Sequence, residues 1–245
     1  MTDNKDMNSR LHPNQPLAPR HPLPRSRPVD RDEYLLELCR GKRVVHLACA
    51  AWPATERWCQ DGSLLHLRLA GTTAKLAGFD WSEPGLEVLR RYGVTDLHRL
   101  NLLEPGQVET GWKDLGFEPE LVLAGELLEH LDRAGLVLDN CRRLMGPHCR
   151  LVVTVPNAFS IRSLLHVLRG YEKVAPDHVS YYSYANVREL VERNGFVLDG
   201  IRWYHYSPTR QAIDRVVDFA LAPLLWMWPQ LSEGLIAECR ISAQT

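Results

Sequence analysis

The amino-acid sequence predicts an α/β fold, with a mostly parallel sheet of seven strands, an antiparallel last strand and helices on both faces. From Asp30 onward, short apolar runs typical of strands alternate with amphipathic runs of helical spacing, which is the pattern of successive βαβ units. The last apolar run, residues 234–241, arrives without a crossover helix of its own. Such a strand is expected to lie antiparallel, at the edge of the sheet.

The individual elements follow from apolar periodicity and from the turn residues between them. The predicted strands cover residues 43–47, 76–80, 96–102, 121–124 and 150–155, a run that begins at Phe196, and residues 234–241. The predicted helices cover residues 33–40, 63–75, 84–92, 132–145, 161–169 and 184–194. This order is typical of a doubly wound, Rossmann-like sheet. Segments around 157–183 and 205–230 fall outside the alternation and are predicted to form a cap or insert.

The length and charge of the chain limit its organisation and its partners. A chain of 245 residues accommodates one large domain more readily than two. Residues 1–29 are rich in proline and arginine and poor in apolar side chains, so they predict a flexible arm, and residues 30–245 predict a single domain. The 29 lysines and arginines nearly balance the 30 aspartates and glutamates. Bulk nucleic-acid binding, which needs a broad basic surface, is therefore not expected.

The cysteines and the hydropathy pattern predict a location. The six cysteines include no C-x-x-C pair, and several lie in apolar runs, so buried thiols in a reducing cytoplasm are expected. The sequence shows no apolar leader and no uninterrupted run of about 18 apolar residues. Neither secretion nor a membrane span is predicted.

Candidate ligand-binding residues follow the first two predicted strands. In an open α/β sheet, ligands bind outside the carboxyl ends of the strands. The first strand ends in residues 46–52, a run of small residues that allows the backbone to approach a ligand closely. The second strand ends at Asp80, whose carboxylate suits the two hydroxyls of a ribose.

Three segments together carry a resemblance to a known family: Val44-Val45-His46-Leu47-Ala48-Cys49-Ala50, Gly78-Phe79-Asp80-Trp81-Ser82, and the run from Leu121 to Leu131. Over residues 30–241 the sequence resembles the class I S-adenosylmethionine (SAM)-dependent methyltransferases. The resemblance implies SAM as the cofactor, S-adenosylhomocysteine (SAH) as its product, and a set of residues that border the cofactor. These are His46, Ala48, Cys49 and Ala50 at the methionine part, Asp80 at the ribose, Trp81 and Asn101 at the adenine, and Gly125 and Glu126 after the fourth strand.

The first motif departs from the family pattern. His46 stands where the family usually has an acidic residue, and Ala48, Ala50 and Trp52 stand at glycine positions. An alanine held at positive φ costs about 1 kcal/mol or more. A non-catalytic binding protein on a methyltransferase fold therefore remains an alternative. His66, on the apolar helical run that follows, is predicted to be a core residue.

A second cluster of candidate residues follows the fourth strand. Glu126 and His130 are four residues apart and Glu129 is adjacent to His130, so on the first turn of a helix they are expected to converge. With His178 from a later loop they would form a divalent-metal set. Ubiquinone-pathway and small-RNA O-methyltransferases have a similar E-x-x-E-H with a later histidine. The alternative is that the glutamates cap the helix while His130 is an ordinary, partly buried histidine.

The predicted activity is transfer of a methyl group from SAM to a hydroxyl of a small-molecule acceptor, such as a metabolite, a sugar or glycan precursor or a natural-product intermediate. Glu126, His130 and His178 are the candidate catalytic residues, with His178 as general base. The alternative enzyme is a metal-dependent RNA-terminal or quinone-type O-methyltransferase. The apolar stretch 216–228 leaves three interpretations open, in this order: a cover over the substrate pocket, a homodimer contact through 211–229, and a membrane-surface face.

Overall fold

The computed structural model of the chain describes residues 20–206 and 212–243. Within them, eight strands form one sheet. The strands are β1 (Val29–Asp30), β2 (Arg43–Leu47), β3 (Lys75–Asp80), β4 (Leu97–Arg99), β5 (Leu121–Gly125), β6 (Arg150–Pro156), β7 (Phe196–His205) and β8 (Gly234–Ile241). Their order across the sheet is β1-β7-β8-β6-β5-β2-β3-β4. The Rossmann-like, mostly parallel arrangement predicted from the sequence is confirmed.

The predicted edge position of the last strand is wrong. β8 is antiparallel, as predicted, but it lies between β6 and β7 and pairs with both. The reason is visible in its side chains, since successive residues Leu235, Ile236 and Ala237 are all fully buried. A strand that buries both of its faces is expected inside a sheet. The eighth strand is β1, a two-residue strand parallel to β7 that the sequence did not predict.

The helices that connect the strands are α1 (Arg31–Cys39), α2 (Thr55–Gln60), α3 (Leu65–Ala70), α4 (Glu83–Arg91), α5 (Pro105–Lys113), α6 (Ala134–Leu144), α7 (Ile161–Val167), α8 (Tyr184–Arg193) and α9 (Ala212–Met227). The predicted helix 63–75 is shorter in the structure, because turns with hydrogen bonds from Thr72 and Thr73 back to Leu69 end it early. Helices α2 and α5 were not predicted.

Hydrophobic cores on both faces of the sheet hold the helices in place. On one face, Val45 and Leu47 of β2 and Phe79 of β3 belong to a core that includes residues of α6 and α8. On the other face, Val44 packs in a second core with residues of α1 and α3, including Leu35. Successive residues of a strand point to opposite faces, so His46 shares the face of Val44. This geometry directs His46 toward α1 and α3.

Part of the predicted arm contacts the sheet. The indole Nε1 of Trp203 donates a hydrogen bond to the Pro24 carbonyl oxygen at 2.8 Å, and Ser26 Oγ donates to the Ile201 carbonyl oxygen at 3.4 Å. The last residues of the predicted arm thus lie along β7, and residues 1–19 lie outside the described residues. The division into one arm and one domain stays a prediction.

The predicted cap segments contain α7 and α9. Several large apolar side chains in these segments are exposed: Phe159, Leu164, Val167, Leu168, Phe219, Trp226 and Met227. Residues 207–211 of the second segment lie outside the described residues, and the homodimer contact through 211–229 stays a prediction. Among the helices in the described ranges, none has both the length and the apolar character needed to cross a bilayer. All six cysteines are buried free thiols, as predicted.

Close contact between β7 and β8 gives a first testable expectation. A Cβ added to Gly234 would lie 2.0 Å from Cζ of Tyr204, whose fully buried ring cannot move freely. We expect Gly234→Ala to lower the free energy of unfolding by about 3 kcal/mol, the upper range for overpacking of a core. Urea denaturation measures this change. Gly200→Ala, in β7 with no atom within 4 Å of the new Cβ, is the control, and equal effects of the two substitutions would contradict the expectation.

Candidate active site

The loop after β2 meets the end of β3 at one crevice. Asp80 connects them, because its Oδ2 accepts a hydrogen bond from the Ala50 backbone N–H at 2.8 Å and its Oδ1 accepts one from the Ser82 N–H at 2.8 Å. Asp80 is 8% exposed. Burial raises the pKa of its carboxyl group, while the two backbone donors act in the opposite direction. Each oxygen of a carboxylate has a second acceptor site, so Asp80 can still accept hydroxyl groups.

Two alanines of this loop adopt backbone conformations that favour glycine. Ala48 and Ala51 both have a φ of +53°. The expectation that alanine at a family glycine position carries strain therefore applies to Ala48. At the third glycine position, Trp52 is 52% exposed. The thiol of Cys49 is buried against Gly78, where an added Cβ would lie 2.6 Å from Sγ, so only the backbone of Cys49 can border a ligand.

The residues predicted at the adenine lie at the ends of β3 and β4. Trp81 is 62% exposed, and the Arg99 guanidinium lies 5.3 Å from the centroid of its ring. Asn101 uses its side-chain oxygen to accept a hydrogen bond from the Leu103 N–H at 3.0 Å. Trp81 therefore offers an aromatic face, whereas Asn101 has one side-chain acceptor committed to its own turn.

His46 forms a buried pair with His66. Their Nδ1 atoms are 3.1 Å apart and their rings stack with centroids 5.3 Å apart. Burial, followed by the neighbouring His66 and by Arg31, lowers the pKa of His46 well below its ordinary value, and burial lowers the pKa of His66 to about 4. Both imidazoles are therefore neutral near pH 7. His66 is fully buried, as predicted for a core residue.

Glu126 belongs to a network different from the predicted one. Its backbone has a φ of +48°, and its carboxylate accepts hydrogen bonds from Thr154 Oγ1 at 2.9 Å, from the Tyr204 hydroxyl at 2.7 Å and from the Tyr206 hydroxyl. Although burial alone would lower the pKa of Arg31, the nearby Glu126 carboxylate holds it above its ordinary value. The network thus holds the Glu126 carboxylate near the positive charge of Arg31, close to the carboxyl end of β5.

Three of the four predicted metal ligands converge. One donor atom each of Glu129, His130 and His178 lies within 4.8 Å of the other two. Glu126 is not part of this group. The predicted helical turn over 126–130 is wrong, because a short 3-10 turn occupies Leu128–His130 and α6 begins only at Ala134. With its left-handed backbone, Glu126 is not on one helical face with His130.

Glu129 has an unusual environment for a carboxylate. The residue is 1% exposed, and neither carboxylate oxygen has a hydrogen-bond partner among the described residues. Burial, followed by the charge of Glu126, raises the pKa of Glu129 to about 9. A buried carboxylate without a partner is costly. The site therefore either keeps Glu129 protonated or provides a place for a cation.

The two histidines of the group are held by the 176–183 loop. His130 Nδ1 lies 3.0 Å from a carboxylate oxygen of Asp177, and the rings of His130 and His178 are perpendicular, with centroids 4.6 Å apart. The loop is anchored because the Val179 N–H donates to the Glu129 carbonyl oxygen at 2.8 Å. Burial, followed by the neighbouring His130, lowers the pKa of His178. A neutral His178 can act as a base or as a metal ligand.

Several residues of these two clusters were not predicted. Asp177 directly precedes the predicted His178 in sequence, and its carboxylate pairs with His130. Arg31 and Thr154 were not predicted to lie near Glu126. Tyr204 also joins this cluster, because its hydroxyl donates to Glu126. A buried hydroxyl usually has a polar partner, but the sequence alone does not identify Glu126 as the partner of this hydroxyl.

Comparisons with known proteins identify the family. A family model described as a methyltransferase domain matches residues 16–199. The chain belongs to the methyltransferase domain family. The prediction of a class I SAM-dependent methyltransferase is confirmed at the level of this family.

Individual relatives are distant. The chain is 22% identical over 175 residues to a ubiquinone biosynthesis O-methyltransferase of Psychrobacter arcticus, covering 69% of this chain and 64% of that protein. It is 24% identical over 182 residues to the enzyme of the same name from Coxiella burnetii, covering 71% of this chain and 72% of that protein. The match thus spans less than two thirds of the Psychrobacter protein's length.

Two solved structures share the fold of this methyltransferase. A SAM-dependent methyltransferase from Archaeoglobus fulgidus superimposes with a TM-score of 0.54 at 18% identity, covering 86% of this chain and 91% of the other. Magnesium protoporphyrin IX methyltransferase from Synechocystis, with bound SAH, gives a TM-score of 0.53 at 15% identity, covering 86% and 82%. At these identities the similarity concerns the fold alone.

The strained loop of the methyltransferase gives a second testable expectation. We expect Ala48→Gly to raise the free energy of unfolding by about 0.5 kcal/mol, because relief of an alanine at positive φ exceeds the added chain entropy of glycine. The control is Ala50→Gly, at a position without positive φ, which is expected to lower that free energy by about 0.5 to 1 kcal/mol. Urea denaturation compares the two. Destabilisation of equal size by both substitutions would contradict the strain at Ala48.

The histidine pair gives a third expectation, a loss of stability in acid. Both imidazoles have lowered pKa values in the folded state, so their contribution is fully present above pH 6.5 and is lost as the pH falls toward 4. The free energy of unfolding is expected to fall by up to about 1.4 kcal/mol per pH unit for each group in this window. His66→Leu should reduce this slope, and substitution of the exposed His148 by asparagine should not. If the free energy of unfolding fell with the same slope in the wild-type protein and both variants, the expectation for the histidine pair would be contradicted.

Proposed function

We propose that this methyltransferase transfers a methyl group from SAM to a hydroxyl oxygen of a small acceptor, and that Glu129, His130 and His178 hold a divalent metal ion beside that hydroxyl. The observation that carries the proposal is the buried Glu129 carboxylate, which has no hydrogen-bond partner among the described residues and lies next to two imidazoles. Two nitrogen donors and one carboxylate suit a first-row transition metal ion.

The surroundings of the three side chains fit a metal ion. The Asp177 carboxylate beside His130 Nδ1 would orient that ring and leave Nε2 as the ligand atom, as carboxylates often do for metal-bound histidines. A neutral His178 is in the state that a ligand requires. A bound cation would also allow Glu129 to ionise at neutral pH. When present, the ion would lower the pKa of an acceptor hydroxyl.

The residues of the crevice have separate tasks in this proposal. SAM supplies an electrophilic methyl group on a sulfonium, so positioning carries much of the rate. Asp80 would accept the ribose hydroxyls while its bonds to Ala50 and Ser82 keep the loop after β2 in place. Trp81 would cover the adenine. With the ion bound, the acceptor hydroxyl would lose its proton to water, because the ion lowers the pKa of that hydroxyl; without the ion, a neutral His178 would take the proton.

A small phenolic acceptor is the substrate class that we favour. Phe159 and Tyr181 are 66% and 50% exposed, and their segments are joined where the Ala158 N–H donates to the Tyr182 carbonyl oxygen at 2.8 Å. Aromatic side chains of this kind suit an aromatic ring. The names of the two O-methyltransferase relatives also support a phenol-type acceptor. The net charge of −1 disfavours an RNA acceptor.

The proposal is tested by measuring methyl transfer from radiolabelled SAM to a panel of catechols, simple phenols, sugars and an RNA with a 3′-terminal diol. Each reaction is run with Mn²⁺, with Zn²⁺ and with EDTA. We expect transfer to catechol oxygen that is lost in EDTA and restored by one of the two metals. Transfer to nitrogen or carbon would reject the O-methylation, and full activity in EDTA would reject the metal.

A further inference from the structure

The strongest observation outside the metal cluster is the buried His46–His66 pair, because His46 occupies the position where the resembled family has an acidic residue. An acidic side chain offers only acceptors. A neutral imidazole offers one donor and one acceptor, and the tautomer decides which nitrogen is which. The contact between the two Nδ1 atoms, 3.1 Å apart, makes this tautomer deducible from the structure.

One Nδ1 of the pair must donate and the other must accept. If His66 were the acceptor, its proton would be on Nε2, which is buried and has no hydrogen-bond partner among the described residues. An orphaned buried N–H is rarer than an under-satisfied acceptor. The arrangement of lower cost has His66 donating from Nδ1, which places the proton of His46 on Nε2.

His46 Nε2 lies beside the carboxyl end of β5. A Cβ built on Gly125, at the carboxyl end of β5, would lie 3.7 Å from this nitrogen. His46 is 4% exposed, in contrast to the sealed His66. In the described part of the chain, no hydrogen bond to His46 Nε2 is found. The nitrogen is therefore a nearly buried donor aimed at the place where β2 and β5 end side by side.

We infer that His46 recognises the carboxylate of the methionine part of SAM through Nε2–H, and that His66 is a positioning residue that fixes this tautomer. The inference rests on the proposed binding of SAM in this crevice. A donor facing a ligand requires an acceptor on that ligand, and among the groups of the methionine part the carboxylate is the strongest acceptor.

Arg31 is a cation near His46. The positive charge of Arg31 lies close enough to help lower the pKa of His46. Arg31 Nε also donates to Asp32 at 2.8 Å, and the Glu126 carboxylate lies nearby. Arg31 is thus already partly neutralised, so the inference depends on the His46 donor and not on a free arginine.

The tautomer is tested directly by long-range proton–nitrogen NMR of the histidine-labelled protein without cofactor. We expect His46 as the Nε2–H form and His66 as the Nδ1–H form at pH 7. His66→Asn, whose amide can still donate to Nδ1 of His46, should preserve the His46 form, and His66→Leu should lose it. The Nδ1–H form of His46 in the wild-type protein would overturn the inference whether or not SAM binds.

The ligand group is tested by calorimetry with SAH and with its decarboxylated analogue, which keeps the amine. Wild-type protein is expected to bind SAH about tenfold or more tightly than the analogue, as for a charge-assisted hydrogen bond. His46→Gln, which keeps an N–H near the Nε2 position, should retain this preference. His46→Asn keeps a polar partner for His66 but has no N–H near the Nε2 position. This variant should bind both ligands about equally.

Replacement by the family's usual residue type separates the possible outcomes. His46→Asp is expected to weaken SAH binding, because it sets a carboxylate against the ligand carboxylate. Tighter binding of SAH by this variant would overturn the inference and restore the usual acidic role. If wild-type protein with the expected tautomer binds neither ligand, the proposed cofactor site fails together with its carboxylate contact. If SAH binds without any preference over the analogue, only the carboxylate contact fails.

Discussion

Addition of Mn²⁺ or Zn²⁺ is expected to raise the thermal unfolding midpoint of the wild-type protein by about 8 °C or more, and to leave that of Glu129→Gln unchanged. A ligand at 1,000 times its dissociation constant stabilises the folded state by about 4 kcal/mol, and each kcal/mol corresponds to about 2 to 4 °C for a protein of this size. The substitution removes the anionic ligand while it keeps the shape of the side chain. Differential scanning fluorimetry after EDTA treatment measures the change.

The pH dependence of the metal-free protein provides an independent check on Glu129. Its pKa rises from an ordinary value of 4.5 to about 9 on folding, so the unfolded state releases the proton first as the pH rises. The free energy of unfolding is therefore expected to fall as the pH rises from 4.5 to 9. At pH 8, the free energy of unfolding of Glu129→Gln should exceed that of the wild-type protein by about 2 kcal/mol or more. Substitution of the exposed Glu87 by glutamine is the control. In the metal experiment, the proposed metal site would be rejected if Mn²⁺ or Zn²⁺ raised the unfolding midpoint of Glu129→Gln as much as that of the wild-type protein.

Asp80→Ala is expected to weaken SAH binding by about 100-fold or more, equivalent to about 3 kcal/mol. The substitution removes the acceptor proposed for the ribose and also leaves the Ala50 N–H without its partner. An unsatisfied buried donor destabilises the loop that would border the methionine part. Isothermal calorimetry with SAH measures the affinity, and Asp80→Asn, which keeps one acceptor oxygen, should show an intermediate loss.

A matched control distinguishes this effect from general destabilisation. Asp114→Ala changes an exposed aspartate after α5, and its SAH affinity is expected to equal that of wild type. An Asp80→Ala protein that unfolds cooperatively and still binds SAH with unchanged affinity would show that the crevice between β2 and β3 is not the cofactor site.

Most of the sheet was predictable because its strands are short apolar runs with clear ends. The bounds of β2 and β8 agree with the sequence prediction, and β6 extends it by one residue, Pro156. The absence of a crossover helix before β8 did not predict its position in the sheet. The strands with which β8 pairs depend on which of its faces are buried. The pattern of β8 itself, with Leu235, Ile236 and Ala237 all apolar, could have indicated an interior strand.

The candidate site was predictable in its residue types and only partly in its grouping. Glu129, His130 and His178 converge as predicted, although they do so through a 3-10 turn and a returning loop. Glu126 joins Tyr204 and Tyr206 instead, and both tyrosines come from the end of the chain's seventh strand. Contacts between segments about 80 residues apart depend on the order of the strands in the sheet. The apolar periodicity of the sequence does not predict that order.

The interior position of β8 also limits how the protein can open. β7 and β1 connect to the remainder of the sheet only through pairing with β8, within the described strands. Separation of β8 from β6 would release β8, β7 and β1 as one unit, and would carry Tyr204 away from Glu126. Amide hydrogens of β7 should therefore exchange with solvent no more slowly than those of β8. The antiparallel pair β7–β8 would act as a single cooperative unit hinged beside the cofactor crevice.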